Sequence, residues 1–359
     1  MAPDGTLLEE AATDEMETEL IDGRPIQAHS NSTQATQGII SAVGTTWRVD
    51  MNTQFAGSDA SRRLVKPIDG NPRIENVAKP AASPGMLLVR VATVGMCRTD
   101  LLVAAGTIGV GTPTILGHEF SGWIEENEAS EQVGLEDGTL IAGDPTFTLP
   151  DGRDGFMGVD ADGVLAEWIT IPADRVYRAD GLTPHQAAYL EPVTAAMGGL
   201  PLAQAIGGRG AVIGDNRIAT LTSAVLATAA NPVPHVSMTL EQLEMEPDSS
   251  FDWLIETSLS AHLLAIAVSK LKAGGTLVIK SRGLEEVVIP VRDIVLKRLT
   301  LAGRTRSAFP EAMDWIRSQP KIVSSLLGEA YPFDRWAEAF AAAASGEGRK
   351  IFINVAADA

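Results

Sequence analysis

Three short segments of this sequence carry side chains suited to chemistry. They are Gly95-Met96-Cys97-Arg98-Thr99-Asp100-Leu101, Gly117-His118-Glu119-Phe120-Ser121-Gly122 and Leu190-Glu191-Pro192. Each has an ordinary structural explanation, because a lone cysteine is usually a small buried apolar residue, a Gly-His-Glu sequence is usually a turn, and an acid before proline often caps a helix. Together, however, a thiolate, an imidazole and a carboxylate form a ligand set that Zn²⁺ prefers.

Three protein ligands would leave the fourth tetrahedral position of such an ion open, which is typical of a catalytic rather than a structural zinc. An open zinc lowers the pKa of a bound water or alcohol to about 7. The resulting alkoxide donates hydride far more readily than the neutral alcohol. The segments therefore favour metal-assisted chemistry at an alcohol oxygen.

The predicted strands and helices around these segments divide the chain into two parts with different secondary-structure patterns. The first half has short apolar runs between glycine- and proline-rich loops, such as Met86–Ala92, and indicates β structure with few helices. After Pro184, strands and helices alternate, as in Gly210–Ile213, Ile218–Ala230 and Phe251–Glu256, and this alternation is typical of βαβ units and a parallel sheet. We expect an α/β protein with a β-rich first domain.

Composition excludes several classes of protein. Lys and Arg number 28 against 46 Asp and Glu, which gives a formal net charge of −18. Nucleic acids and anionic membranes select concentrated positive charge, so neither is an expected partner. A single cysteine excludes an intramolecular disulfide and a cysteine-rich zinc lobe. With no run of about 18 apolar residues and no apolar leader, we expect a cytoplasmic protein.

Residues 1–36 differ from the rest of the chain. Acidic residues dominate up to Asp22, and a polar run follows from Ser30 to Gln37. This composition indicates a solvated, largely disordered acidic tail. A short helix around Leu7–Leu20 that docks on a partner subunit is the alternative.

The three segments, in this order and at these separations, resemble the zinc-dependent medium-chain alcohol dehydrogenase/reductase superfamily. The resemblance covers roughly residues 85–355 and includes further short elements. These are Gly158-Val159-Asp160-Ala161-Asp162-Gly163-Val164-Leu165-Ala166-Glu167-Trp168, Phe251-Asp252-Trp253-Leu254-Ile255-Glu256-Thr257 and Leu271-Lys272-Ala273-Gly274-Gly275-Thr276-Leu277-Val278. A glutamate as the last ligand is similar to the polyol, threonine and sugar dehydrogenase branch.

The resemblance implies a fold and a site. It implies a GroES-like catalytic domain of residues 37–200 with 331–359, and a Rossmann-like nucleotide-binding domain of residues 201–330. It implies Cys97, His118 and Glu191 as zinc ligands, and Glu119 as a neighbouring acid that can exchange into the ligand shell. Thr99 would bond the substrate hydroxyl and begin a proton relay, and Asp100 would orient His118 by accepting its other ring N–H.

Two features depart from the family pattern. The four clustered cysteines that often bind a structural zinc are absent, so we expect one catalytic ion and a trimmed lobe near Gly143–Gly152. The nucleotide loop, expected to bind the cofactor through Gly214, Asp215, Asn216, Arg217 and Ile218, reads G-x-N-x-x-A. Asn216 replaces the glycine that lets the backbone approach a pyrophosphate, although asparagine tolerates positive φ.

The nucleotide loop leaves the choice between NAD and NADP open. No acid follows the second strand before Glu241 to bind the ribose, and no arginine lies nearby to bind a 2′-phosphate. The expected function is an oxidoreductase that moves hydride between NAD(P) and a secondary alcohol, polyol or sugar, or the matching carbonyl. The alternatives are a non-catalytic descendant that binds or scaffolds, and, ranked lower, a zinc-dependent alkene reductase or a lyase. We expect a homodimer or homotetramer, with the apolar stretch Ile289–Leu301 as its candidate interface.

Overall fold

The computed structural model of the chain describes residues 60–129, 134–281, 286–303, 306, 308–345 and 348–357, with the backbone of strands between residues 19 and 50. Those strands pair as two antiparallel hairpins. They are Glu19–Ile21 (β1), Arg24–Ile26 (β2), Gln37–Ala42 (β3) and Thr45–Asp50 (β4). The first hairpin falls within the expected acidic tail. The other residues of that tail, including most of Leu7–Leu20, lie outside the described part, and its disorder stays a prediction.

The β-rich half is built on a mixed sheet of seven strands in the order β14-β10-β9-β7-β21-β20, with β13 also paired to β7. A three-stranded sheet, β6-β5-β8, and a hairpin of β11 with β12 lie beside it. The strands are Ala60–Lys66 (β5), Arg73–Ala78 (β6), Met86–Gly95 (β7), Thr114–Ile115 (β8), Glu119–Asn127 (β9), Leu140–Gly143 (β10), Thr146–Thr148 (β11), Asp154–Phe156 (β12), Trp168–Pro172 (β13), Val176–Arg178 (β14), Leu327–Pro332 (β20) and Lys350–Asn354 (β21). The last strand of the chain thus joins the centre of this sheet beside β7.

The second half contains a five-stranded parallel sheet in the order β16-β15-β17-β18-β19. Its strands are Gly210–Ile213 (β15), His235–Met238 (β16), Phe251–Glu256 (β17), Leu271–Ile279 (β18) and Thr300–Gly303 (β19). The first strand pairs with the second on one side and the third on the other, so the crevice at their carboxyl ends is a topological switch point. This doubly wound sheet and the β-rich half confirm the expected fold class.

Helices of 5 to 12 residues cover the sheets. They are Arg98–Ala104 (α1), Pro184–Ala188 (α2), Leu190–Met197 (α3), Leu200–Ile206 (α4), Arg217–Thr228 (α5), Leu240–Met245 (α6), Ala261–Lys270 (α7), Val291–Lys297 (α8), Phe309–Ser318 (α9), Pro320–Leu326 (α10) and Trp336–Ala344 (α11), with 3₁₀ turns at Ala173–Arg175 and Phe333–Arg335. No helix in the described part of the chain has the length and hydropathy that a membrane crossing requires.

Two local expectations differ from the structure. The Lys272–Gly275 segment, expected as a turn, is assigned to β18, where Gly274 adopts φ +79° and the register shifts against β17. The change of register accommodates the glycines without ending the strand. Asn216 has φ −102° and ψ 171°, so its tolerance of positive φ is not used; Gly214, at φ +139°, makes the turn.

Apolar packing forms three clusters. One fills the β-rich half around β7 and includes Leu64, Phe120 and Phe340. A second packs α3, α5 and α9 onto the parallel sheet, and it also includes Ala142 and Ala179 of the β-rich half. The third lies on the other face of the parallel sheet. The second cluster therefore packs the two halves against each other.

Candidate metal centre

The turn after β7 positions Cys97 and Asp100. Cys97 is the N-cap of α1, and its backbone N–H donates to Asp100 Oδ2 over 2.9 Å. Gly95 ends the strand just before the turn, and a Cβ there would lie 2.6 Å from Glu119 Oε2 and 2.8 Å from Lys350 Cε. The glycine is therefore needed because the space beside the strand end is occupied by another pair of site residues.

A glycine-dependent turn also presents His118. Gly117 adopts φ +89°, and a Cβ there would lie 2.9 Å from Leu165 Cγ. The glycines of the Gly158–Gly163 segment pack on the same turn, since a Cβ at Gly163 would lie 2.2 Å from the Gly117 carbonyl oxygen. The family-like Gly158–Trp168 motif thus has a steric reason: its backbone supports the turn from which His118 projects.

His118 is oriented by Asp100. Asp100 Oδ1 lies 3.0 Å from His118 Nδ1, and both side chains are 1% exposed. An ionised carboxylate accepts the Nδ1–H, which leaves the Nε2 lone pair free on the opposite side of the ring. The Phe156 ring contacts His118 edge-on at 4.8 Å between centroids. The imidazole is therefore held in one orientation, with Nε2 available as a ligand.

Cys97, His118 and Glu119 bring their donor atoms together. One sulfur, one ring nitrogen and one carboxylate oxygen lie within 4.8 Å of one another. Among the described residues, these three side chains form a group that could hold a metal ion. Tetrahedral zinc bonds of about 2.0–2.3 Å require ligand atoms about 3.3–3.8 Å apart. The donor set and spacing therefore fit Zn²⁺ after side-chain adjustments of less than about 2 Å.

Electrostatics favour the ligating form of Cys97, whereas they favour the protonated forms of His118 and Glu119. Burial raises the pKa of the Cys97 thiol, but the charges of His118 and Lys350 outweigh it and lower that pKa to about 7. Burial lowers the pKa of His118, whereas Asp100 and Cys97 raise it well above its usual value. Burial raises the pKa of Glu119 to about 7, although Lys350 acts against the rise. A thiolate is thus accessible near neutral pH even in a buried site.

Lys350 was not singled out from the sequence. It begins β21, is 6% exposed, and its Nζ forms an ion pair with Glu119 Oε2. A buried lysine at the start of the apolar Ile351–Ile353 run was the available signal, since buried lysines are almost always paired. The ion pair fixes the Glu119 carboxylate beside His118.

Glu191 is not part of the three-residue cluster. It lies at the start of α3, partly buried, and burial raises its pKa, with a further rise from the Glu119 charge and an opposing effect of His118. These effects place Glu191 at the edge of the same site. Its role as a ligand stays a prediction, as does that of Thr99, whose Oγ1 is 3.7 Å from Cys97 Sγ.

The nucleotide loop lies at the carboxyl end of β15. Gly214 makes the turn, since a Cβ there would be 2.2 Å from Thr257 Oγ1. Asp215 is exposed, Asn216 caps α5, and Ile218 belongs to its first turn. The Arg217 guanidinium is directed away, toward the carbonyl oxygens of Arg349 and Ala343 at 3.2 and 3.4 Å. The turn and the switch-point crevice fit a dinucleotide, and Asn216 is the departure.

A second lysine, Lys280, joins the end of the parallel sheet to α3. Lys280 follows β18, and its Nζ donates to the Ala195 carbonyl oxygen of α3. Its backbone N–H and that of Ser281 both donate to Glu256 Oε1 at 2.8 Å. Burial lowers the pKa of Lys280 to about 8 against the charges of Glu256 and Glu191.

Residues 83–181 match the alcohol dehydrogenase GroES-like domain family. The chain is 25% identical to the L-threonine 3-dehydrogenase of Cutibacterium acnes over 327 residues, covering 77% of this chain and 94% of the relative. It is also 25% identical to the sorbitol dehydrogenase of Gallus gallus over 334 residues, covering 79% and 93%. These matches support the resemblance to the zinc-dependent medium-chain alcohol dehydrogenase superfamily that the sequence motifs indicate.

Solved structures share the fold of this chain. A zinc-binding dehydrogenase from Sinorhizobium meliloti, bound to NADP, superposes with a TM-score of 0.72 at 23% identity, covering 82% of this chain and 99% of that one. At that identity the likeness is one of fold. The two named relatives, a threonine and a sorbitol dehydrogenase, agree with the branch expected from the sequence.

Proposed function

We propose that the protein is a zinc-dependent oxidoreductase that transfers hydride between NAD(P) and a secondary alcohol, polyol or sugar, or the matching carbonyl. The convergence of Cys97, His118 and Glu119 within 4.8 Å carries the proposal. Relatives named sorbitol and threonine dehydrogenase support this substrate class. Zinc bound here would polarise the substrate oxygen and stabilise its alkoxide form.

The chain's own residues prepare the site for this chemistry. Asp100 binds Nδ1 of His118, so that Nε2 is the ring nitrogen that would bind zinc with loss of its proton, and the lowered pKa of Cys97 supplies a thiolate near neutral pH. Thr99 lies beside the sulfur, where its hydroxyl can accept the substrate proton and pass it outward. We propose Glu191 as the third ligand, because Lys350 already neutralises Glu119. Glu119 would be a neighbouring acid that can also bind the ion in exchange with water.

The cofactor would bind at the carboxyl ends of the parallel strands. Gly214, Asp215, Asn216, Arg217 and Ile218 form the turn expected to face its pyrophosphate. For hydride transfer, the nicotinamide of the bound cofactor would have to reach the substrate at the metal centre. One catalytic ion, without a structural zinc, is part of the proposal.

The test replaces Cys97 by serine and measures zinc per chain by elemental analysis, with turnover on a panel of polyols and secondary alcohols. We expect the Cys97→Ser variant to lose both, because a serine hydroxyl is a poor zinc ligand at neutral pH. Thr276→Ser, in the parallel sheet, is the control and should keep both. Wild-type zinc content and turnover in the Cys97→Ser variant would refute the proposed site.

A matched pair of variants distinguishes the two acids. Glu191→Gln should lower the zinc content more than Glu119→Gln, because Glu119 is paired with Lys350. The opposite order would assign the third ligand to Glu119 and leave the oxidoreductase proposal intact.

We also propose that the protein is a homodimer or homotetramer joined through the region Ile289–Leu301. Helix α8 has no buried residue, and Val291, Val295 and Leu296 are 60%, 66% and 64% exposed. The neighbouring β19 is an edge strand of the parallel sheet. Apolar side chains beside an open strand edge are typical of an interface between subunits. Light scattering of wild type and Val295→Glu measures the oligomer, and the variant should dissociate.

The remaining proposals concern organisation and location. We keep the division into residues 37–200 with 331–359 and residues 201–330, which the separate mixed and parallel sheets support. We place the enzyme in the cytoplasm, because a free thiol in a ligand cluster functions in a reducing compartment.

A further inference from the structure

The Asn216 side chain forms hydrogen bonds with the backbone N–H groups that the nucleotide turn would offer to a phosphate. Its Oδ1 accepts the backbone N–H groups of Ile218 and Ala219, each over 3.0 Å. Unpaired N–H groups at a helix start, together with the helix dipole, are what bind a phosphate. Two of the donors at the start of α5 are therefore already satisfied within the chain.

The other end of the same amide is also held. Asn216 Nδ2 donates to the Thr257 carbonyl oxygen at 3.1 Å and to Thr257 Oγ1 at 3.0 Å. Thr257 follows β17, whereas Asn216 follows β15, so these bonds cross the switch-point crevice between the two strands. Thr257 Oγ1 in turn donates to the Ile213 carbonyl oxygen at 2.9 Å. Both ends of the Asn216 amide are thus hydrogen-bonded within the chain. A phosphate must break these bonds to reach the backbone N–H groups at the start of α5.

The backbone does not require an asparagine here. Asn216 lies in the ordinary extended region, φ −102° and ψ 171°, which any residue adopts. The basic side chain of the turn, Arg217, bonds carbonyl oxygens near the chain's C-terminal strand instead of facing the crevice. The identity of residue 216 therefore affects the ligand site more than the fold.

We propose that Asn216 is a specificity-determining residue that limits the affinity for dinucleotides by occupying the α5 amides in place of the pyrophosphate. The inference rests on the proposed NAD(P)-dependent function. A glycine at this position frees both N–H groups and removes the side chain from the crevice. An aspartate keeps the cap but places a negative charge where the pyrophosphate would lie.

The experiment titrates NADH and NADPH into wild type, Asn216→Gly and Asn216→Asp, and follows binding by calorimetry and nicotinamide fluorescence. We expect Asn216→Gly to bind at least one of them about tenfold more tightly, because two hydrogen bonds to a charged group become available. We expect Asn216→Asp to bind about tenfold more weakly through charge repulsion.

Controls separate binding from folding. Replacing an N-cap by glycine costs α5 only a few tenths of a kcal/mol on average. Thr183→Gly removes the cap of α2 in the other half of the protein, and its dinucleotide affinity should equal that of wild type. Circular dichroism melting of every variant confirms that each one is folded.

The outcomes distinguish the inference from the function on which it rests. Tighter binding by Asn216→Gly supports the inference, even if wild type itself binds neither cofactor. Wild-type binding with an unchanged or weaker Asn216→Gly variant overturns the inference and leaves the proposed function standing. An Asn216→Asp variant that binds as well as wild type also overturns it. No binding by any of the three proteins overturns both.

Discussion

Replacing Asp100 by asparagine should remove zinc affinity while leaving the chain folded. The Asp100 carboxylate accepts from Cys97 N–H at 2.9 Å and contacts His118 Nδ1 at 3.0 Å. Because the Cys97 N–H can only donate, the asparagine oxygen must stay with it. The asparagine NH₂ group then faces Nδ1 of His118, which must become an acceptor. The ring proton consequently moves to Nε2, the nitrogen that would bind zinc.

The size of the effect follows from the loss of this orienting contact. Removing the hydrogen-bond partner of a ligating histidine typically lowers metal affinity about 10- to 100-fold, or about 1.4–2.7 kcal/mol. The loss of a hydrogen bond to a charged group costs about 1.5–3 kcal/mol of stability, which a folded domain of ordinary stability tolerates. We therefore expect a folded Asp100→Asn variant with little zinc and low turnover.

The assay combines zinc competition against a chromophoric chelator with nitrogen NMR of the His118 ring, which reports which nitrogen carries the proton. Asp252→Asn is the matched control, because Asp252 also accepts from a backbone N–H and a cationic side chain, those of Arg209 and Lys272, far from the metal centre. The control should keep zinc. Wild-type zinc affinity in Asp100→Asn, with its proton on Nε2, would refute the reasoning.

Two further predictions concern stability. Burial lowers the folded pKa of Lys280 from 10.5 to about 8, so the unfolded chain binds more protons than the folded chain between these pH values. The free energy of unfolding should therefore rise by up to about 3 kcal/mol as pH increases from about 8 to 10.5. Urea titrations should show that Lys280→Met loses this rise, whereas Lys272→Met, at a half-exposed position on the same strand, keeps it. Gly210→Ala would place a Cβ 1.8 Å from the buried Trp253 ring. This overpacking should lower the free energy of unfolding by at least about 1–3 kcal/mol. Gly109→Ala, where a Cβ would have nothing within 4 Å, is the control, and equal urea midpoints for the two variants would contradict the packing argument.

Much of the fold could be predicted because its signals are local. The alternating strands and helices after Pro184, and the strands Gly210–Ile213 and Phe251–Glu256, match the structure. The prolines in the alanine- and leucine-rich stretch His185–Ala205 predict interruptions of a helix. The structure has three helices here, and Pro192 and Pro201 lie in the first turns of two of them. Proline has no N–H to donate, so it suits the first turn of a helix. Each proline therefore lies just after a helix break, and the position of the break is determined by the surrounding packing.

The sequence by itself determined the chemical character of the site. Gly117 before His118 is a local requirement, since its φ of +89° favours glycine, whereas Gly95 is required only because the remote residues Glu119 and Lys350 pack beside it. The tertiary structure alone decided which distant charges meet those residues. Lys350 reaches Glu119 from the last strand, and the Asn216 amide reaches Thr257 across the crevice between β15 and β17. Such choices depend on burial and on the partners within reach of each side chain, and these exist only once remote strands are packed together.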